Sequence, residues 1–313
     1  MCPRVEMAPG GPMVSEVVCG AMRFTSGDAS YTPEQALQVV KELVSIGVTT
    51  FDVAAVYGGG EHVRGVEHLL GAALALEPGL RQQLEIVTKC GITTDGSQAL
   101  YDTSTAHILA SAEKSLAALQ TDFIDVLLIH RPDPAMDADE VAAAFLQLKR
   151  EGKVRFFGVS NFSPSQVELL QSRLGNQIPL VTNQVEISCI ETKLLSQPFG
   201  DGTLDQCQLA RQRPMAWSPL NKLMQGKRTD KVTRVLDAIK AVATELGLSE
   251  PQGDAAVTAV AVAWLKYLPC RPLIVTGSTK PQRIAQAVAG LSVPLTRTQW
   301  FAILQASRGA GVP

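Results

Sequence analysis

The sequence predicts an α/β fold, a (β/α)8 barrel of the TIM type with a short N-terminal segment and extra C-terminal helices. Three observations carry that reading. Short β-rich runs alternate with helical patterns over residues 17–290, as βαβ units around a parallel sheet do. Eight such units can be counted. A doubly wound sheet would instead need a glycine-rich turn after its first strand, and Gly20-Ala21-Met22-Arg23-Phe24 contains no G-x-G-x-x-G. No low-complexity linker or shift in composition interrupts the chain, so one domain over residues 1–313 is expected.

The strands are expected, in order, at 17–22, 49–54, 85–91, 124–130, 154–160, 179–187, 214–218 and 273–278. A helix follows each, and the helix boundaries carry physical punctuation. Thr32-Pro33-Glu34-Gln35 puts a capping hydroxyl before a first-turn proline, with Gln35 placed to close a capping box. Ser163-Pro164-Ser165-Gln166 repeats the device. The helix opened at Thr32 presents Leu37, Val40 and Val44 and stops before Gly47, a C-terminal cap. The third helix buries Ile108, Ala112, Leu116 and Leu119 at helical spacing. Two helical patterns, 231–246 and 254–266, follow the seventh strand, so one of them lies outside the eightfold repeat. Residues 296–307 read as a further C-terminal helix.

Composition narrows the partners. With 46% apolar and 19% charged residues the chain can bury a large core, which excludes intrinsic disorder. The 28 basic and 30 acidic side chains leave a net charge of -2 with no run of one sign, so neither nucleic acid nor a membrane surface is expected as a partner. Six scattered cysteines, with no C-x-x-C pair and no histidine at zinc spacing, read as free thiols in a reducing compartment, and no metal is expected. The N-terminus lacks an apolar signal core and no apolar stretch is long enough to span a bilayer. A cytoplasmic protein is expected by elimination.

Polar residues stand where the apolar strands stop: Asp52, Lys89, His130, Ser160-Asn161, Gln184 and Trp217-Ser218. In a barrel those ends converge on the face where βα loops build active sites. A lysine and an aspartate ending apolar strands are costly to bury singly, so Asp52 and Lys89 are expected to pair across adjacent strands.

Here the chain resembles the aldo-keto reductase family. Gly47-Val48-Thr49-Thr50-Phe51-Asp52-Val53-Ala54-Ala55-Val56-Tyr57-Gly58 is similar to the family's aspartate followed five residues later by a tyrosine. Lys89 in Ile86-Val87-Thr88-Lys89, His130 in Leu127-Leu128-Ile129-His130, Gly158-Val159-Ser160-Asn161-Phe162, Asn183-Gln184-Val185-Glu186 and Trp217-Ser218-Pro219-Leu220 follow in family order. The likeness covers roughly residues 13–290, and the tail resembles a sparsely characterised bacterial branch. It implies an NADPH-dependent reduction of an aldehyde or ketone, with a catalytic tetrad of Asp52, Tyr57, Lys89 and His130. Each role is physically sensible. A phenol of pKa about 10 is a poor acid at neutral pH, and a neighbouring ammonium stabilises its anion. Lys89 would supply that charge and lower the Tyr57 value, Asp52 would hold Lys89, and His130 would orient the carbonyl. A purely structural Asp52–Lys89 pair fits the same spacing, and a lone histidine or tyrosine at a strand end is more often packing than chemistry.

The resemblance also implies a cofactor site. Ser160, Asn161 and Gln184 would bond the nicotinamide carboxamide, and Trp217 would stack on the ring, although a core tryptophan fits Trp217 equally well. Ser218, Pro219 and Leu220 begin a loop, reaching to Arg228, over the pyrophosphate. Gly277, Ser278, Thr279, Lys280, Arg283 and Gln286 would hold the adenosine end, at a helix start whose amides favour phosphate. Departures are Gly277-Ser278 in place of a common Lys-Ser pair and Ala287 in place of a common asparagine. The loop Gly58-Gly59-Gly60-Glu61-His62-Val63-Arg64-Gly65-Val66 is longer than usual, and its glycines suggest a mobile rim in which a solvated His62 is expected. Phe24, Val56, Phe162 and residues 220–226 are candidates along the substrate pocket. Two other functions compete: a non-catalytic NADPH-binding auxiliary or regulatory subunit, which can retain the tetrad, and a barrel lyase using the strand-end lysine as a Schiff base, which the Asp52–Tyr57 spacing disfavours. A monomer or an oligomer is equally compatible with the sequence.

Overall fold

Eight short apolar strands carry the architecture of this computed structural model, which describes residues 1–25, 31–58, 64–94, 98–196, 200–220, 223–224, 228–250 and 253–311. The chain opens with β1 (Arg4–Glu6) and β2 (Met13–Ser15), an antiparallel hairpin. It continues through β3 (Val17–Gly20), α1 (Pro33–Ser45), β4 (Thr50–Asp52), α2 (Gly65–Ala75) and β5 (Glu85–Cys90). A second antiparallel hairpin follows, β6 (Ile92–Thr94) and β7 (Ala99–Tyr101). Next come α3 (Thr105–Leu119), β8 (Ile124–Ile129), α4 (Ala138–Arg150), β9 (Val154–Ser160), α5 (Pro164–Leu174) and β10 (Leu180–Glu186). The last third holds α6 (Lys193–Ser196), α7 (Thr203–Leu209), β11 (Met215–Trp217), α8 (Asp230–Glu245), α9 (Asp254–Lys266), β12 (Leu273–Thr276), α10 (Pro281–Gly290) and α11 (Arg297–Arg308).

Strands β3, β4, β5, β8, β9, β10, β11 and β12 pair in that order, all parallel, and β12 pairs back to β3 to close the barrel. Closure leaves no exposed sheet edge. Alternate residues point inward, and the interior is filled by Val18, Val87, Val126, Leu128, Val181, Met215, Leu273 and Val275. Met7 and Val14 of the N-terminal hairpin join this cluster, so the hairpin plugs the mouth where the strands begin. Arg213 N–H donates to the Met7 carbonyl at 2.8 Å and fixes the plug. At Gly20, an added Cβ would come within 2.5 Å of the Thr276 carbonyl, which is why β3 and β12 can approach at the barrel's far end.

The capping boxes form as expected. Thr32 Oγ1 accepts from Gln35 N–H while Gln35 Oε1 accepts from Thr32 N–H, and Ser163 and Gln166 do the same. A third box joins Thr296 and Gln299 at the start of α11. Gly47 takes a φ of +84° just beyond α1. The buried stripe of α1 is corrected: Ala36, Val39, Val40 and Leu43 are buried, whereas Leu37 and Val44 flank the stripe half-buried. The stripe in α3 is the expected one. Helix α9 is buried along most of its length because α8 and α10 lie against it and α11 reaches it through Trp300. Trp264 and Trp300 stack at 5.2 Å, each indole N–H bonding the other residue's carbonyl.

All six cysteines are buried free thiols, and burial pushes Cys19 and Cys90 up to about 12, which keeps them protonated. Among the described residues no helix is long and apolar enough to cross a membrane and no His/Cys/Asp/Glu group could hold a metal ion.

Candidate active site

The parallel register of β4 and β5 sets Asp52 beside Val87, so Lys89, two residues further along β5, reaches back to it. Lys89 is fully buried. Its ammonium donates to Asp52 Oδ2 at 2.8 Å, to the Val53 carbonyl at 2.9 Å and to Tyr57 Oη at 3.3 Å. Those three acceptors use all three of its N–H bonds. Asp52 Oδ1 accepts from Gln184 Nε2 at 2.8 Å, and β10, which carries Gln184, stands across the barrel from β4. His130 follows β8 directly, with its ring edge-on to Tyr57, centroids 5.9 Å apart.

Charge and burial set the protonation states. Burial opposes the Lys89 charge, yet attraction to Asp52 and Tyr57 more than offsets it and holds the ammonium above its ordinary value. Burial, helped by the Lys89 and Arg131 charges, drives His130 down to about 2, so the imidazole is neutral. Tyr57 corrects an expectation. Burial raises its hydroxyl above the ordinary value, the Asp52 carboxylate adds to the rise, and the opposing pull of Lys89 does not outweigh them. The phenol therefore stays protonated at neutral pH.

Further round the rim, Ser160 Oγ donates to the Gln184 carbonyl, Asn161 Nδ2 donates to Ser160 Oγ, and Trp217 Nε1 donates to Asn161 Oδ1 at 3.1 Å. Asn161 and Ser218 sit in left-handed conformations, φ +61° and +53°, immediately after β9 and β11. Asparagine tolerates this region and serine does so less readily; the turns aim both residues into the cavity at a small cost in strain.

These groups line a cavity of about 790 Å³, within the range of small-molecule sites. Asp52, Tyr57 and His130 line it, with Lys89 beneath them. So do Ser160, Asn161, Gln184, Trp217, Ser218, Pro219, Leu220, Gly277, Ser278, Thr279, Lys280, Arg283 and Gln286. Sequence reasoning missed Arg23, Tyr31, Arg131, Asp254 and Thr258 on the same walls. Arg131 follows His130 directly, so its place at the end of β8 is legible in the sequence. Arg23 and Tyr31 carry no local signal: they come from the β3–α1 connection and bond the Gly277 and Thr279 carbonyls.

Three substrate-pocket candidates are corrected. Phe24 is fully buried against Tyr31, and Phe162 belongs to the core between barrel and helices. Val56 is not among the lining residues, whereas Leu220 and Met224 are. His62, Gly59 and Gly60, with residues 221–222 and 225–227, lie outside the described residues.

Behind β5 runs a buried network that the sequence did not announce. Arg64 donates to Glu67 at 2.8 Å and to Ser111 and Ser115 of α3, while Glu67 accepts from Thr88, the neighbour of Lys89. Arg64 N–H also bonds the Ala55 carbonyl, and Val66 N–H bonds that of Tyr57. Both flanks of the Tyr57 loop are thereby tied to the barrel.

The sequence profile of the Aldo/keto reductase family matches residues 16–308. Oxidoreductase YdhF of Escherichia coli is 45% identical over 320 residues, covering 100% of both chains. The 6-dehydroglucose reductase of Agrobacterium fabrum is 38% identical over 307 residues, 96% of each chain. Among solved structures, the thermostable aldo-keto reductase Tm1743, in complex with the inhibitor epalrestat, matches with a TM-score of 0.77. At 23% identity over 97% of this chain and 99% of that one, the likeness speaks to the barrel fold. The chain is an oxidoreductase and belongs to the aldo/keto reductase family.

Proposed function

We propose that the chain reduces the carbonyl group of an aldehyde or ketone to an alcohol with NADPH, Tyr57 donating the proton. The observation that carries this reading is the Lys89 ammonium, which spends its N–H bonds on Asp52, the Val53 carbonyl and Tyr57 Oη at the floor of the cavity. NADPH, when bound, supplies a hydride. The donor set fits it: polar groups cluster beside the tetrad, and Lys280 and Arg283 mark the other end, with no ion-pair partner among the described residues. Ser160, Asn161, Gln184 and Trp217 would hold the nicotinamide, residues 218–220 the pyrophosphate, and Gly277, Ser278, Thr279, Lys280, Arg283 and Gln286 the adenosine phosphate end.

The chain's own groups divide the remaining work. Neutral His130 offers a ring N–H to the carbonyl oxygen without adding a charge that would compete with Lys89. Tyr57 gives its proton to that oxygen as negative charge develops there, and Lys89 stabilises the phenolate left behind. Asp52 and the Val53 carbonyl keep the ammonium aimed at Tyr57 Oη. A relative named as a reductase supports the reductive direction.

Tyr57→Phe is expected to lower carbonyl reduction about 100- to 10,000-fold while NADPH binding stays nearly intact, because the phenol is needed only when charge develops on oxygen. NADPH oxidation against aldehydes, ketones, sugars and pyridoxal, with cofactor titration of both proteins, makes the comparison. Wild-type-like turnover in the variant would eliminate Tyr57 as the acid. Tight NADPH binding with no reduction across the panel would favour an auxiliary subunit instead.

A further inference from the structure

We infer that Arg131 is an anion-recognition residue in the substrate half of the cavity, and that the carbonyl compound reduced there carries a carboxylate or comparable oxyanion. The inference rests on the reductase reading and adds the substrate's chemical class. Arg131 leaves β8 directly after His130 and lines the cavity, its guanidinium carbon 5.5 Å from the centroid of the Trp217 ring. A guanidinium lying over a ring keeps its N–H donors at the edge of its plane, free to bond in that plane. Among the described residues none of the Arg131 donors meets a protein acceptor, and Arg131 has no acidic partner. Asp133, the nearest acid in sequence, is committed elsewhere: it accepts from Ala135 N–H at 2.8 Å and from Thr103 Oγ1 at 3.1 Å.

Three other half-buried arginines, Arg64, Arg81 and Arg213, have protein partners. Arg64 bonds Glu67 and two serines, and Arg81 bonds Asp125 at 2.7 Å. Arg131 is left out of this pattern where a ligand can reach it. Charge counting points the same way. Lys89 and Asp52 cancel, and His130 is neutral, so Arg131 leaves the reacting end with one positive charge unbalanced among the described residues. Lys280 and Arg283 belong to the opposite end, where the cofactor's phosphates are expected. A half-buried cation without a partner is unfavourable, and a carboxylate on the substrate relieves it through the planar fork geometry that guanidinium and carboxylate share.

The test pairs isosteres. Reduction of 4-carboxybenzaldehyde is compared with that of 4-formylbenzamide, which has the same outline and no charge, in wild type, Arg131→Gln and Arg131→Lys. Wild type is expected to favour the carboxylate by about tenfold to a hundredfold in kcat/KM, expressed mainly in KM and weakened by salt. That ratio collapses towards one in Arg131→Gln and is partly kept in Arg131→Lys, whatever the absolute rates. A wild-type ratio near one, or a ratio preserved in Arg131→Gln, overturns the proposal. Should the glutamine variant not fold, inhibition of wild-type benzaldehyde reduction decides: benzoate stronger than benzamide and salt-sensitive supports the assignment, and equal inhibition overturns it. Failure to reduce any of these aldehydes, charged or neutral, removes the reductase reading, an outcome separate from the loss of charge preference.

Discussion

His130 shows how much a residue's chemistry owes to its surroundings. Its sequence context announces only a polar residue after Leu127-Leu128-Ile129, whereas burial with two nearby cations takes its folded-state value to about 2. The sign of the pH effect follows. As pH falls through the ordinary value of about 6.5 the unfolded chain takes up a proton at this ring and the folded chain does not. Stability from this group is therefore complete above that pH and declines below it, by up to about 1.4 kcal/mol per pH unit. His130→Gln is expected to lose about 2 kcal/mol less than wild type between about pH 7.5 and about pH 5, measured by urea unfolding. An equal loss in both proteins would place the acid sensitivity elsewhere. Tyr57 teaches the complementary lesson. Its spacing from Asp52 is local and legible, but the direction of its shift depends on burial, which the sequence does not quantify.

At the scale of elements, α10 differs from α1, α5 and α11. Those helices begin with capping boxes that satisfy their own first amides, whereas α10 has Lys280 at its N-cap and no side-chain cap. Cations at a helix start oppose the dipole, so Lys280 and Arg283 are better explained by an anionic ligand than by the helix itself. The cofactors NADPH and NADH differ by a phosphate at the ribose 2′ position, and the prediction is a preference for NADPH of at least about a hundredfold. Dissociation constants of both for wild type and the Lys280→Ala/Arg283→Ala double variant check it. Equal wild-type affinities, or an unchanged ratio in the variant, would refute the assignment. Element boundaries were largely readable because caps and prolines act within a few residues. The two hairpins were not, since three-residue strands are too short to display a period of two.

For the whole molecule, the Asp52 carboxylate ties three strands together. One oxygen accepts from Lys89 on β5 and the other from Gln184 on β10, across the barrel, so the pair closes the end of the packed interior as well as holding Tyr57. Lys89→Met leaves Asp52 buried without its counter-charge and is expected to cost about 3 to 5 kcal/mol of stability along with most activity. Asp52→Asn in the Lys89→Met background should cost much less than the sum of the single effects, because the charge left stranded is then gone. Thermal and urea unfolding of the four proteins gives the coupling. Strictly additive effects would mean that the two side chains act independently.

Local sequence is enough for the eightfold alternation, the helix starts and the order of polar residues at strand ends. All of these follow from local periodicity and from caps that act over three or four residues. Beyond the expected Asp52–Lys89 pair, which polar residues meet is set by the closed barrel. Gln184 reaches Asp52 across 132 positions of chain, Arg23 reaches Gly277 across 254, and Arg131 lies over Trp217 from a different strand. Barrel closure brings these partners together, and burial then sets the charge of His130 and Tyr57. Both depend on the low-dielectric interior that the whole chain builds, which no short stretch of sequence contains.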